Sequence, residues 1–355
     1  RQMCIRDSTY LVPNQTVATY VTEWSYDCLG RLLSMTYPDN ETVRYSYDLG
    51  GNLRAVSGDK FYKYRYVDSI CYDRFGQRRL LYYGNGTVTS YGYDLNRRLN
   101  SLRVSAPGGN VPVMDNSYTF DAVGNVTGIA GSAASPSGAA AVSHTFGYDK
   151  LYRLTSAQGA YAGTAASYTL GMGYDNMHRV VSKSLRLAQD GVQSPGSLKT
   201  GYDLAYSYSR EEGARFRLDS VADSHYRKAG GSAAATIRDT HSYGYDADGN
   251  MDRVSTARTM SDGTTRGGFF GRGIIWDWED RMLASCDNGF VTTYLYDAGG
   301  NRTVKQSGGS MHLHVDSEHT AGATATEGFS LYVGPWMTVN QDHRYTKHIY
   351  AGSQR

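Results

Sequence analysis

The residues that first suggest chemistry are histidines toward the C-terminal end. His312-Leu313-His314 puts two imidazoles on one face of an extended strand, and His319, His343 and His348 follow. Neutral imidazoles at that spacing are the ligands of zinc or copper sites. No HExxH or CxxC segment accompanies them, and Cys4, Cys28, Cys71 and Cys286 lie far apart without ligand spacing. The histidines therefore read as a solvated edge strand and the cysteines as unpaired thiols, with no metal or other cofactor expected. Trp276-Asp277-Trp278-Glu279-Asp280 gathers acids between indoles, a composition that holds sugars, but it also fits one diverged copy of the repeat described below and is read as that. The glycines at 244–249 and Gly299-Gly300-Asn301 have no βαβ pattern around them, so they are turn glycines and not a phosphate loop. No acid, base and nucleophile set stands out, and no catalytic residue is expected.

What the sequence does carry is repetition. Tyr26-Asp27-Cys28-Leu29-Gly30-Arg31-Leu32 returns as Tyr47-Asp48-Leu49-Gly50-Gly51-Asn52-Leu53 and as Tyr72-Asp73-Arg74-Phe75-Gly76-Gln77-Arg78. Looser copies start at Tyr93, Phe120 (with Asp121, Gly124 and Asn125), Tyr148 and Tyr174, and neighbouring copies from Tyr26 to Tyr174 are separated by steps of 21, 25, 21, 27, 28 and 26 residues. Clear copies return at Tyr245-Asp246 with Gly249-Asn250 and at Tyr296-Asp297 with Gly300-Asn301; Trp276-Asp277 begins a related one, and Tyr202-Asp203 reads as a decayed one. Asp at the first position and Gly at the fourth suit a type I turn, with the carboxylate accepting a backbone N–H and Gly taking the left-handed conformation. Such a turn joins two strands of a hairpin through a bulge. Copies with Arg97, Tyr152 or His178 in place of that Gly should have a looser turn or carry left-handed strain. A second kind of turn, Tyr37-Pro38-Asp39-Asn40 and Tyr83-Gly84-Asn85-Gly86, alternates with the first.

The elements that position these turns are hairpins. Val43, Tyr45 and Tyr47 alternate with Thr42, Arg44 and Ser46, and Tyr202, Leu204, Tyr206 and Tyr208 form another one-sided stripe. The composition agrees: 31 Tyr and 41 Gly against 9 Phe and 7 Pro. The expected fold is all-β, a series of antiparallel hairpins forming one long sheet. About twenty strands exceed what an open twisted sheet holds flat, so the sheet should curl or spiral around a tyrosine-lined wall. Gly/Ser/Ala-rich stretches at 131–143, 157–167, 191–197, 229–235 and 261–273 are expected as long loops between hairpins. Lys plus Arg number 36 and Asp plus Glu 34, scattered and nearly balanced, which does not favour nucleic acid as a partner. No apolar run is long enough to span a membrane as a helix. Residues 1–8 have no signal-peptide core, match the translation of a transposase-type sequencing adapter and are set aside from fold reasoning; residues 9–355 are read as one repeat array.

The YDxxGN and YDxxGRL segments at 20- to 28-residue steps, with the interleaved YPDN turn, resemble the YD or RHS repeats of bacterial polymorphic toxins over roughly residues 20–355. The resemblance implies a hollow β-shell that encloses a variable C-terminal toxin and helps deliver it, and a secreted or cell-surface location. Asp-Pro occurs nowhere in the chain, so the self-cleaving segment of that family is not assigned here. The partner implied is the toxin passenger of the same natural chain. A second reading is a surface adhesin whose exposed aromatic hairpins bind cell-surface glycan or protein.

Overall fold

The computed structural model describes residues 2–10, 18–60, 63–108, 112–135, 138–193, 201–228, 234–259, 264–287, 289–309, 313–315, 318–321, 328–342 and 344–352. They are almost entirely antiparallel β-strand, with a single short 3-10 turn at Ala162–Thr164. The chain falls into two compact units. One holds Arg1–Tyr118, Gly131–Gly138 and Ser330–Arg355; the other holds Thr119–Ala130 and Ala139–Phe329.

In the first unit consecutive strands pair in chain order. Ala18–Tyr26 pairs with Leu32–Thr36, which pairs with Thr42–Tyr47, and so on through Leu53–Gly58, Arg65–Tyr72, Arg78–Tyr83, Val88–Tyr93 and Leu99–Ser105. Gln2–Tyr10 pairs antiparallel with the first of these strands. Every second connection therefore lies at the same end of the sheet, and the two turn sequences sort onto opposite rims. The apolar positions of the alternation meet across strands: Met35 faces Val43, and Tyr45 faces Val56, which faces Val67. Met35, Val43, Val56 and Val67 form the buried core of this unit with Tyr37, Ile70 and Leu81, and Tyr45 packs against it. The strand pair Gly328–Gly334 and Met337–Asn340, then Tyr345–Lys347, packs onto it; Trp336 meets Trp24 edge-on, with ring centroids 5.0 Å apart.

In the second unit the two faces differ in kind. Register places Tyr168, Leu170 and Met172 opposite Leu187, Leu185 and Lys183, and Leu185 in turn opposite Tyr202. Tyr206 faces Val221, and Tyr243 faces Val254. The other face carries Ser167, Thr169, Ser184, Ser207, Ser220, Ser242 and Ser255 at the intervening positions. Period-two alternation thus gives one face rich in tyrosine and aliphatic residues, which also carries Lys183, Asp223, Asp239, His241 and Arg258, and a second rich in serine and threonine, which carries the Arg186–Asp203 pair.

Two expectations need correction. Three of the Gly/Ser/Ala-rich stretches, 131–143, 157–167 and 261–273, are largely strand in their described residues. Val126–Ser135 and Gly138–Tyr148 cover most of 131–143. Leu154–Tyr161 and Ala166–Tyr174 leave only a short tip within 157–167, and Thr265–Trp276 covers most of 261–273. Val192–Gln193 enters 191–197, and Ala234–Tyr245 begins inside 229–235. Residues 194–200, 229–233 and 260–263 lie outside the described residues. Weak strand propensity in small residues is overridden by backbone pairing to a neighbouring strand, so the hairpins lengthen and do not loop out. Second, Tyr202-Asp203 is no turn. It lies inside the strand Gly201–Tyr208, whose end, Tyr208-Ser209, opens a longer connection closed by Ser209 N donating to Arg217 O at 2.9 Å.

Candidate functional site

The repeated turn is the structural unit the chain is built from. Tyr26, Tyr47, Tyr72, Phe120, Tyr245 and Tyr296 each end a strand, and Asp27, Asp48, Asp73, Asp121, Asp246 and Asp297 follow them. In the first copy Gly30 N donates to Asp27 O at 3.1 Å and Asp27 N donates to Arg31 O at 3.0 Å. The pair recurs at every copy, a type I turn closed by a bulge. Gly30, Gly51, Gly76, Gly124, Gly249 and Gly300 hold the left-handed position, with φ between +76° and +98°. Where Gly is missing the turn does not loosen. Arg97, Tyr152, His178 and Asp280 take φ of 62°, 60°, 64° and 59° and keep the same backbone bonds.

The aspartate closes the turn from inside. Asp27 Oδ1 accepts the backbone N–H groups of Leu29 and Arg31, both at 2.9 Å, while Oδ2 accepts Arg31 Nε at 2.7 Å. Asp121 does the same with Val123, Asn125 and the Asn125 side-chain amide, and Asp297 with Gly299, Asn301 and the Asn301 amide. Asp48 binds Asn52, Asp73 binds Phe75 and Gln77, and Asp246 binds Asn250 N. Carboxylates that accept amide hydrogens are favoured in the charged form. The backbone N–H of Arg31 foremost holds the Asp27 carboxyl below its ordinary range, and that of Asn52 does so for Asp48.

The sequence showed the Asn or Arg of each copy as part of the motif, but neither its bond to the Asp nor the contact of the tyrosine with the preceding repeat. The residue four after each Asp is a donor side chain in every copy (Arg31, Asn52, Gln77, Arg98, Asn125, Arg153, Arg179, Asn250, Arg281, Asn301), and where it is Arg it pairs with its Asp. The same guanidinium lies over the ring of the next repeat's tyrosine: Arg31 over Tyr47 at 4.8 Å, Arg153 over Tyr174 and Arg179 over Tyr208 at 4.5 Å. That tyrosine then donates its hydroxyl to the carbonyl just past the preceding turn. Tyr47 bonds Leu32 O at 2.9 Å, Tyr72 bonds Leu53 O at 2.8 Å, Tyr93 bonds Arg78 O at 2.9 Å and Tyr296 bonds Met282 O at 2.8 Å. Tyr148, Tyr174, Tyr208 and Tyr245 repeat the contact. Trp276 replaces the hydroxyl with its indole N–H, 2.8 Å from Met251 O. A ladder of aromatic-to-carbonyl bonds thus fixes these repeats to the ones before them, and it is broken at Phe120, which has no hydroxyl to donate. The 20- to 28-residue period was the available signal.

Among the described residues no group of three or more His, Cys, Asp or Glu side chains is placed to hold a metal. Of the histidines, His312 and His343 lie outside the described residues, and His348 is buried in the first unit, where its backbone N–H donates to Trp336 O at 2.7 Å. Cys28, Cys71 and Cys286 are free and exposed. The first unit also has a half-open pocket of about 710 Å³, lined by Val56, Val67, Leu81, Tyr91, Leu102 and Ile349 among others.

The same turn chemistry in copy after copy, joined by the tyrosine ladder, coincides with a family match. The RHS Repeat family profile covers residues 26–60, from the first Tyr-Asp turn through the second and the strand after it. Residues 26–60 are an RHS repeat by this match. The chain is also similar to "Toxin subunit YenC1" of Yersinia entomophaga, 31% identical over 144 residues, covering 38% of the chain and 15% of that protein. It therefore spans a small part of that relative's length. Similar solved structures include TcdB2-TccC3-Cdc42, at 16% identity over 96% of this chain and 19% of that one, with a TM-score of 0.49. Another is a Tc holotoxin pore of Photorhabdus luminescens, at 16% identity over 93% of this chain and 17% of that one, with a TM-score of 0.46. No helix among the described residues is long and apolar enough to cross a membrane.

Proposed function

We propose that this chain is a non-catalytic wall segment of an RHS-type shell, which encloses a C-terminal toxin passenger of the same natural protein and helps deliver it outside the producing cell. The observation that carries the reading is the RHS repeat itself, joined to 31% identity with a protein named as a toxin subunit. The second unit supports it: one face of its strands is rich in tyrosine and aliphatic side chains. A wall with many half-buried tyrosines offers broad, weak amphipathic contacts to an enclosed chain and no single tight site. The turn residues Tyr26, Asp27, Gly30 and their equivalents serve, in this proposal, to set the repeat and not to touch a ligand.

The test is protection. The complete natural gene is expressed and treated with trypsin, and its C-terminal region is followed by mass spectrometry. A passenger that survives until the repeats are cut supports the shell. A C-terminal region cleaved as fast as an unstructured control, or a gene that continues into a surface anchor with no passenger, overturns it.

A further inference from the structure

The rim of the first unit that carries the Tyr-Asp turns is chemically unlike the sheet behind it. Each of its four turns presents one large apolar side chain at its tip: Leu29, Leu49, Phe75 and Leu95, all exposed, Leu49 and Leu95 completely so. The tips sit at the same end of the sheet, since each pair of consecutive turns is separated by two antiparallel strands. Two strand spacings put neighbouring tips about 10 Å apart along the rim. Turn tips are ordinarily polar, and an exposed row of this kind marks an interaction surface.

Charge on the rim points to the partner. The turn carboxylates of Asp27, Asp48, Asp73 and Asp94 are occupied by the backbone amides of their own turns. Arg54, Arg74, Arg79 and Arg97 are exposed. Arg74 and Arg97 flank the Phe75 ring, at 4.8 and 4.3 Å from its centroid, so cation and apolar tip form one amphipathic group. Around the four turns Arg31, Arg54, Arg74, Arg78, Arg79, Arg97 and Arg98 outnumber Asp27, Asp48, Asp73 and Asp94, so the rim is apolar at its points and net positive between them. A second copy meeting it rim to rim would set arginine against arginine.

We propose that this rim is a docking surface for an anionic lipid surface, with the leucine and phenylalanine tips entering the headgroup boundary and the arginines engaging lipid phosphates and carboxylates. Shallow insertion of apolar side chains together with basic residues is the physics of interfacial binding. Each arginine near an anionic leaflet adds a further increment that salt screens. The proposal is independent of the shell reading.

The full chain is sedimented with sucrose-loaded vesicles of phosphatidylcholine alone and with 30% phosphatidylserine, the mole fraction being on the order of that in an anionic leaflet. Binding is expected to the second and not the first, and to fall steeply with added salt. L29S/L49S/F75S/L95S changes only exposed tips, and R74Q/R97Q only exposed cations. Each is expected to weaken partitioning by about tenfold or more while melting like the parent. Equal binding by parent and variants overturns the proposal, as does no binding by a folded parent. So does parent self-association in light scattering that the tip variant abolishes, since the rim would then serve a second copy.

Discussion

Asp27 and its counterparts show how one side chain sets a repeat. A carboxylate that accepts two backbone amides and a side-chain donor is worth most when ionised. Its hydrogen-bonding partners depress the folded-state pKa below the unfolded value for Asp27 and Asp48. The contribution of such a group is fully present above the unfolded pKa and is lost as pH falls through the folded one. Thermal stability is therefore expected to hold near neutrality and to decline only below about pH 4, the ordinary aspartate range. D27N/D48N should flatten that acid limb and lower the melting temperature at pH 7, as measured by circular dichroism. A variant with the parent's acid limb would show that the turn carboxylates are not the groups being titrated. The tyrosine ladder gives a second expectation at this scale. Removing the hydroxyl of Tyr47 or Tyr174 leaves the Leu32 or Leu154 carbonyl without that donor, at a cost of about 1 kcal/mol per site. Tyr47→Phe and Tyr174→Phe, compared with the parent by urea denaturation, read this out.

At the scale of the hairpin, backbone conformation and side chain are in tension at a few positions only. Gly76 sits at φ +77° with open space where a Cβ would be, so Gly76→Val tests backbone strain without a clash. It is expected to destabilise by about 1–2 kcal/mol. Tyr152 holds the same conformation at φ 60° and its side chain is exposed. Tyr152→Gly should therefore stabilise by up to about 1 kcal/mol, the opposite sign at an equivalent site. Melting curves of the pair decide whether the left-handed position or the side chain matters. The hairpin was legible in the sequence because it is local: Asp and Gly three apart, between alternating runs, fix turn type and register together. The Tyr208-Ser209 turn was not, since Ser replaces Asp and the closing pair Ser209–Arg217 is eight residues apart where Asp27–Arg31 is four. Nor was the strand character of the Gly/Ser/Ala-rich stretches. What pairs them is a partner strand, and composition alone carries no record of the partner. The aromatic-to-carbonyl ladder was visible as a period but not as a bond, because its acceptor is a backbone atom that any residue supplies.

The first unit as a whole depends on contacts between its two ends in sequence. Lys347, on the strand Tyr345–Lys347, reaches two carboxylates, Asp39 in the Tyr37-Pro38-Asp39-Asn40 turn and Glu41 directly after it. It lies 2.9 Å from Asp39 Oδ2 and donates to Glu41 as well. Lys60 and Tyr345 also donate to Asp39, at 2.7 and 3.0 Å, and Tyr66 donates to Glu41 at 2.6 Å. Burial acts to raise the Asp39 carboxyl, but the hydrogen bonds from Lys60, Lys347 and Tyr345 outweigh it and hold the group below its usual range. Alongside, the Tyr37 hydroxyl donates to His348 O at 2.9 Å, and Arg78 donates to Ala351 O at 2.7 Å. Glu41 is only 2% exposed. Removing its cation leaves a buried charge held by one hydroxyl, and breaking a buried pair from one side costs about 3–5 kcal/mol. Lys347→Met is thus expected to melt the unit well below the parent and to speed hydrogen exchange of the backbone amides in 337–340 and 345–347 first. Glu41→Gln in the same chain removes the stranded charge and should recover part of the loss, since a neutral amide still meets the Tyr66 hydroxyl. If K347M alone exchanges and melts like the parent, the clamp contributes nothing to closing the unit, and packing of Trp336 against Trp24 must hold the strand instead.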